Sequence, residues 1–319
     1  MKQFLLPERP WVGIISPSYP VAERRETISR AIASLESLGC EVVRSSTLLG
    51  SAGYRSGSIN ERSLDLNGFL RDPTIDLIIC STGGFNSNEL LESVDLRAAK
   101  ESKACLVGYS DVTALTLGLR TISGMQTVHG PMLVDIDQDP NCFVRLFEAL
   151  REKQDVTLPD EVWDSKDRRR TYPGLRALSK KLPRCSGTIV AGNLSTFNLL
   201  LGTPYQPSVD GVVLFLEYDL EERNAFPSLQ RLLWQVRQAG MFKDINGLVF
   251  GILQEAVAKE ETSDWDLSSL LAEVTDSFDF PVLFDAPFGH VHPSWILPNG
   301  LEVQLKTDGG RPSVSMAGS

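Results

Sequence analysis

The sequence predicts an α/β protein in two parts. An N-terminal Rossmann-like parallel-sheet domain spans 1–150, a connecting segment spans 151–186, and a C-terminal mixed β/α domain spans 187–319. Three observations carry this expectation. In the first half, unbroken apolar runs such as Trp11–Ser16 and Ile75–Cys80 alternate with stretches of helical period, the pattern of strands buried on both faces. The stretch 151–186 is charged, carries Pro159, Pro173 and Pro183, and has no clear period. A chain of 319 residues is also longer than one small core requires.

The elements follow in order. Trp11–Ser16 reads as a buried strand. Ala22–Leu38 reads as a helix with Ile28, Ile32 and Leu35 on one face, and Gly39 ends it. Cys40–Arg44 is strand-like. Glu61–Leu70 is a short helix stopped by Asp72-Pro73. Ile75–Cys80 is a strand that runs into a Gly83-Gly84 turn, and Glu89–Lys100 holds a further helix segment. Ala104–Val107 is a strand, Val112–Leu119 a helix and Met125–Val128 a short strand. The connecting segment is longer than an ordinary loop, which suggests a functional excursion. Trp163 and Tyr172 either pack it down or stack on a ligand.

The second domain begins with a strand at Gly187–Ala191. Val212–Leu216 is a strand ending at Glu217, and Phe226–Ala239 is a helix with Pro227 in its first turn and Gly240 as its C-terminal cap. Ile245–Phe250 is a strand, Asp266 caps a helix through Val274, and Val282–Phe284 is a short strand. Asn299-Gly300, between Trp295–Leu297 and Leu301–Leu305, signals a hairpin.

A net charge of −10 argues against a nucleic-acid surface, and the basic run Arg168-Arg169-Arg170 reads as a solvated loop. The chain contains no 18-residue apolar run, so no membrane span is expected. Pro7, Glu8, Arg9 and Pro10 interrupt the first apolar stretch, so no secretory segment is expected. Cys40, Cys80, Cys105, Cys142 and Cys185 form no C-x-x-C pair and read as free thiols in a reducing compartment. His290 and His292 lie close in sequence, but no third ligand is signalled nearby; no metal and no cofactor are expected.

The chemistry centres on CLVGYSDVTAL, 105–115. A strand meets Gly108-Tyr109-Ser110-Asp111 and a helix follows, so Ser110 either caps that helix or stands as a nucleophile on a tight corner. Amide N–H groups at the helix start, with one from Gly83 or Gly84, could stabilise an oxyanion. A serine nucleophile needs a base and an orienting group. Glu217 closes the apolar strand VVLFLE, where a carboxylate is either at the sheet rim or costly to bury. His290 follows Phe288-Gly289 just beyond a strand. The rival reading is a binding module in which Ser110 and Gly84 hold an anion without chemistry.

These motifs together resemble the LD-carboxypeptidase family of serine peptidases, which includes murein tetrapeptide carboxypeptidases and microcin C immunity peptidases. The resemblance runs through Ser16-Pro17-Ser18, Arg62, Gly83-Gly84, Gly108-Tyr109-Ser110-Asp111 and His129-Gly130-Pro131. It continues through Gly192-Asn193-Leu194, Leu214-Phe215-Leu216-Glu217 and Phe288-Gly289-His290. It implies a Ser110–His290–Glu217 triad and an oxyanion hole from the amides of Asp111 and Gly84. It also implies a cytoplasmic, often dimeric enzyme acting on a small peptide or peptide–nucleotide conjugate. Substrate contacts are expected among Gly83, Phe85, Asn86, Asn88, Trp163 and His292, with Arg62 a further candidate for a terminal carboxylate. His129 is expected to brace the first domain. Ser81-Thr82 stands where the muropeptide branch has arginine, which resembles the microcin-immunity branch; there an aromatic residue stacks on the base, and Trp163 is the candidate. The main expectation is a carboxypeptidase, and the alternative is a hydrolase of aminoacyl- or peptidyl-nucleotide conjugates. Tyr218-Asp219 is a further departure, in a place where an acidic residue often follows the glutamate directly.

Overall fold

Residues 6–151, 158–164, 169–178, 184–219, 225–254, 266–308 and 311–316 are described by the computed structural model of the chain. The chain divides into two units, Met1–Lys153 with Pro204–Pro207, and Gln154–Thr203 with Ser208–Ser319. In the first unit the apolar runs become β1 (Trp11–Ile15), β2 (Glu41–Arg44), β3 (Leu77–Cys80), β4 (Cys105–Val107) and β5 (Thr127–His129). Between them lie α1 (Arg25–Ser37), α2 (Ile59–Arg71), α3 (Leu96–Glu101) and α4 (Thr113–Ser123), and α5 (Cys142–Arg151) follows. β1, β3 and β4 are wholly apolar at their buried positions, so they suit a sheet covered on both faces, whereas β2 is a partly exposed edge strand.

These five strands pair in parallel in the order β2-β1-β3-β4-β5. That is the flavodoxin-like doubly wound order, so the Rossmann-like sheet that was expected is parallel but does not have the classic Rossmann strand order. The crossover through α2 carries the chain past β1, so β3 pairs on the side of β1 away from β2. The switch point of the sheet therefore lies between β1 and β3, and ligand sites in such sheets lie beyond the strand ends there. The loops 16–19 and 81–87 leave from those ends, and the Ser110 corner leaves β4, the next strand along.

The helices keep their sequence signals. Ser58 and Glu61 form a reciprocal capping box at the start of α2, with Glu61 N–H donating to Ser58 Oγ at 3.2 Å and Ser58 N–H to Glu61 Oε2 at 2.9 Å. The helix segment expected within Glu89–Lys100 is α3, and a break separates it from a preceding 3₁₀ stretch, Ser87–Ser93. The break has a local cause: Val94 is extended, and Asp95 Oδ1 accepts the Ala98 N–H at 3.0 Å, starting a new helix.

In the second unit, β6 (Glu161–Trp163) pairs with β7 (Arg169–Thr171), so part of the segment expected as a connector is a small antiparallel ribbon. β8 (Arg176–Ala177), β9 (Cys185–Asn193), α6 (Leu194–Leu200), β10 (Val212–Glu217), α7 (Ala225–Gln238) and β11 (Gly247–Gly251) follow. Then come α8 (Leu267–Thr275), β12 (Val282–Ala286), β13 (Leu297–Pro298), β14 (Glu302–Asp308) and β15 (Arg311–Met316). The main sheet runs β15-β14-β9-β10-β11-β12-β8. Its centre, β9 to β12, is parallel, and β8, β14 and β15 are antiparallel, giving the mixed sheet that was expected. Ile189, Val213, Phe215, Val249, Leu283, Phe288 and Leu305 form its core.

The hairpin expected at Asn299-Gly300 is not formed as read, because β14 pairs with β9 and β15. The turn is anchored on β9 instead: Asn299 Oδ1 accepts Ala191 N–H at 2.8 Å and Gly300 N–H donates to Ile189 O at 2.7 Å. All five cysteines are free, and four are buried. Burial pushes the Cys40 thiol up to about 12, partly offset by Arg151. Among the described residues no helix is long and apolar enough to cross a membrane.

Arg62 shows how tightly the first unit is braced. Its side chain is fully buried, and it donates to Gly57 O at 3.1 Å, Pro17 O at 2.6 Å, Asn86 Oδ1 at 2.9 Å and Glu89 Oε2 at 2.6 Å. The guanidinium therefore ties α2 to the loops after β1 and β3, and a substrate carboxylate would have to displace these bonds. Replacing Arg62 by Met leaves buried acceptors without donors; urea denaturation is expected to show a loss of about 3 kcal/mol in the transition of this unit.

Candidate active site

Ser110 sits where β4 turns into a short 3₁₀ stretch, Ser110–Val112, ahead of α4. Its φ is +59°, a left-handed conformation that costs a non-glycine residue about 1–2 kcal/mol. Such strain at a strand-to-helix corner is the geometry of a nucleophile elbow. A helix-capping serine would have extended backbone, and the N-cap position of α4 is taken by Val112, which makes no side-chain cap. A Cβ at Gly108 would lie 2.7 Å from Val112 Cγ1, so the corner closes only over glycine.

The turn after β3 lies directly against the elbow. A Cβ at Gly83 would be 3.1 Å from Ser110 Oγ, and one at Gly84, where φ is +150°, would be 2.3 Å from Ser18 Oγ. Glycine at 83 lets main chain approach Ser110, as an oxyanion donor must, and glycine at 84 lets it pass Ser18 and Tyr19. Asp111 fixes this approach with its carboxylate. Asp111 Oδ2 accepts from Ser18 Oγ at 2.6 Å, Asn86 N–H at 3.1 Å and Ser87 N–H at 2.9 Å. Its carboxylate is thus a brace that ties the corner to the loops after β1 and β3.

The other first-unit candidates separate by burial. Phe85 is 70% exposed and packs its ring on Tyr19, so it remains open to a ligand. Asn88 is half-buried. Asn86 is buried, accepts from Arg62, and donates to Tyr54 O at 3.3 Å, so its side chain braces the turn. His129 is buried with its ring 5.7 Å from that of Tyr109, whose hydroxyl donates to Asp135 Oδ1 at 2.9 Å.

In the second unit Glu217 is 1% exposed at the end of β10. His290 Nδ1 lies 2.8 Å from Glu217 Oε2, joining the two groups that the sequence could only propose together. Glycine again makes the room. Gly289 has φ +90°, and a Cβ there would lie 2.5 Å from Glu217 Cγ. The strand register adds a residue whose role the sequence left unread: Asn193, at the end of β9, stands opposite Glu217. Its Nδ2 donates to Glu217 Oε1 at 3.1 Å and to Asp219 Oδ1 at 3.2 Å. Asp219 in turn places Oδ2 2.9 Å from His290 Nε2. Asn193 also caps α6 through Thr196 N–H, and that capping pattern was its only local signal.

Trp163 and His292, two expected substrate contacts, meet through main chain: Trp163 N–H donates to His292 O at 2.9 Å and His292 N–H to Trp163 O at 2.7 Å. This pairing lays β6 along the loop that carries His290. The Arg169 guanidinium stacks 4.2 Å from the Trp163 ring centroid.

Electrostatics follow from the geometry. Burial pulls the His290 imidazole down, but the charges of Glu217 and Asp219 and their hydrogen bonds outweigh it and raise the pKa well above 6.5. Burial pushes the Asp219 carboxyl up, and the neighbouring imidazolium and the Asn193 bond hold it below 3.8 despite this. Glu217, Asp219 and His290 are also the one compact acid–histidine group among the described residues, their ligand atoms within 4.8 Å. With a carboxylate on each ring nitrogen, the group is a hydrogen-bonded relay.

The family profile described as LD-carboxypeptidase N-terminal domain matches residues 12–130, and that described as LD-carboxypeptidase C-terminal domain matches 186–305. A MccF-like protein from Bacillus anthracis is 27% identical, with a TM-score of 0.90 over 99% of each chain. The microcin C7 self-immunity protein MccF of Escherichia coli is 27% identical over 95% of this chain and 92% of its own. A structure of MccF in complex with aspartyl sulfamoyl adenosine matches at a TM-score of 0.86, 23% identity, and 100% and 99% coverage. A muramoyltetrapeptide carboxypeptidase from Oxalobacter formigenes matches at 0.77, with 25% identity over 97% of this chain and 99% of that one.

Two predictions arise from the relay. Gly289→Ala drives a methyl group into Glu217 and is expected to cost about 2 kcal/mol in thermal denaturation. It is also expected to lower kcat/KM about 10²-fold, by displacing the imidazole. A raised folded-state pKa for His290 stabilises the protein fully below the ordinary imidazole value of 6.5, and that contribution fades as pH rises through the raised value. Melting temperatures of wild type and His290→Gln are therefore expected to diverge at low pH and converge at high pH.

Proposed function

Since the chain belongs to the LD-carboxypeptidase family and is a hydrolase of the serine-peptidase type, we propose that it cleaves the amide joining an aminoacyl or peptidyl group to a nucleotide-like leaving part, as in acyl-sulfamoyl adenylates. The observation that carries this reading is the main-chain pairing of Trp163 with His292, which holds an aromatic ring beside the loop of the catalytic histidine. An aromatic face there suits a nucleobase. The likeness to MccF and the MccF-like protein supports the same branch, as does Ser81-Thr82 ahead of Gly83-Gly84.

The second reading is a carboxypeptidase acting on muropeptides, favoured by the likeness to the muramoyltetrapeptide carboxypeptidase. Exopeptidase action needs a group to receive the terminal carboxylate. Arg62, the basic candidate from the sequence, is buried and held by protein acceptors. An internal conjugate amide makes no such demand.

In either reading Ser110 attacks the scissile carbonyl as His290 Nε2 takes its proton. The imidazolium then protonates the leaving amine, and Glu217 holds the ring by Nδ1 and offsets its charge. Water hydrolyses the acyl-serine ester with His290 again as base. The Asp111 and Gly84 amides stabilise the oxyanion, each such donor contributing about 3 kcal/mol. Phe85 and Asn88 contribute to the substrate rim.

The test offers an aspartyl-sulfamoyl adenylate and a D-Ala-terminated tetrapeptide side by side. Turnover of the adenylate in preference to the tetrapeptide is expected, and the reverse preference would install the muropeptide reading. Ser110→Ala is expected to lower kcat at least 10³-fold with the fold intact by circular dichroism. Trp163→Ala is expected to raise KM for the adenylate roughly tenfold or more and to leave tetrapeptide kinetics little changed.

A further inference from the structure

Asp219 has no part in the reaction as just described, yet it faces the nitrogen on which that reaction depends. Its Oδ2 lies 2.9 Å from His290 Nε2, while Glu217 Oε2 lies 2.8 Å from Nδ1. An ionised carboxylate only accepts hydrogen bonds, so both contacts are hydrogen bonds only when both ring nitrogens carry protons. The geometry is that of an imidazolium between two carboxylates. One side chain sets the spacing of both acids, because Asn193 Nδ2 donates to Glu217 Oε1 and to Asp219 Oδ1.

We propose that Asp219 is a positioning residue that latches His290 in its doubly protonated form and so sets the pH at which the base becomes available. The proposal rests on the reading of His290 as the base for Ser110. Release is a proton transfer only: the Nε2–H bond breaks and the proton passes to solvent, to which Asp219 is partly open with 27% of its side chain exposed. Once Nε2 is a lone pair it repels the Asp219 carboxylate, and it can then accept the serine proton.

The surroundings of His290 in this unit agree. β10 presents Glu217, and the residues just after it present Asp219. The end of β9 presents the neutral amide of Asn193, and the loop after β11 presents neutral Gln254, whose Nε2 donates to His290 O at 3.4 Å. His292 lies two residues along the same loop. Burial, which disfavours the charged ring, is overcome by the two acids, in keeping with the latch. The sequence carries the device where the family resemblance departs, with Tyr218-Asp219 in place of an acid directly after Glu217.

The test reads the ring directly. His129, His290 and His292 are the only histidines, so imidazole ¹⁵N resonances of the full chain can be assigned with His290→Gln. Wild type at neutral pH is expected to show both His290 nitrogens protonated; a neutral single-tautomer pattern overturns the proposal without recourse to any variant. In Asp219→Asn the titration midpoint of His290 is expected to move to lower pH, and Asp219→Glu is expected to retain it. An unchanged midpoint in Asp219→Asn, or an equal fall in Asp219→Glu, overturns the latch. The kcat/KM profile of Asp219→Asn is expected to gain roughly tenfold on its acid limb and not on its alkaline plateau. The same titration in Ser110→Ala separates the two readings: a latch seen there without turnover of either substrate by wild type means the hydrolase reading has failed. Turnover by wild type with no change of midpoint means that the latch has failed.

Discussion

The second unit is organised around one hydrogen bond, that between Glu217 Oε2 and His290 Nδ1. Glu217 ends a strand whose every residue is buried, and an unpaired carboxylate there would carry a penalty of several kcal/mol. The local structure reads as a set of answers to that penalty. Gly289 removes a side chain that would strike the carboxylate, and Gly251 one that would strike Glu217 Cβ. The β9–β10 register brings Asn193 opposite to donate to its second oxygen. The loop after β12 delivers the imidazole. Because these parts support one charge, removing any of them leaves the others in a buried and unfavourable state, and the group is rigid for that reason.

The first unit solves the complementary problem of holding a strained serine. Ser110 adopts a left-handed backbone, and the strain persists because its neighbours over-determine it. Asp111 collects three donors from the loops after β1 and β3, and Ser87 Oγ donates to Asp111 O at 2.6 Å. Arg62 ties the same two loops to α2. The corner, the double-glycine turn and the switch point of the sheet thus form one braced unit around the hydroxyl. The chemistry proposed draws on these two local arrangements: a serine held at a strained corner, and an imidazole whose basicity is raised by Glu217 and Asp219.

Much of this was legible in the residues. The unbroken apolar runs and intervening helical periods gave the alternation of strands and helices in the first unit, since those signals are local. Ser110, Glu217 and His290 were singled out by residue type and position before any geometry was known. The misreadings have causes that lie in the tertiary structure. The hairpin at Asn299-Gly300 was a correct turn with the wrong partner, because pairing with β9 depends on strands more than a hundred residues apart. Arg62 and Asn86 carried the residue types of ligand contacts, and burial turned them into braces.

The sequence alone determined the α/β class, the approximate elements and the strand-to-helix corner at Ser110, because hydrophobic period, turn residues and capping patterns act over a few neighbouring residues. Only the tertiary structure decided the strand order β2-β1-β3-β4-β5, the joining of Glu217 to His290 across 73 residues, and the parts played by Asn193 and Asp219. The physical reason is that the energy of a buried charge depends on what surrounds it in space. A carboxylate, an amide and an imidazole carry no periodic signal along the chain, and their meaning appears only when the fold removes water and brings them within hydrogen-bonding distance.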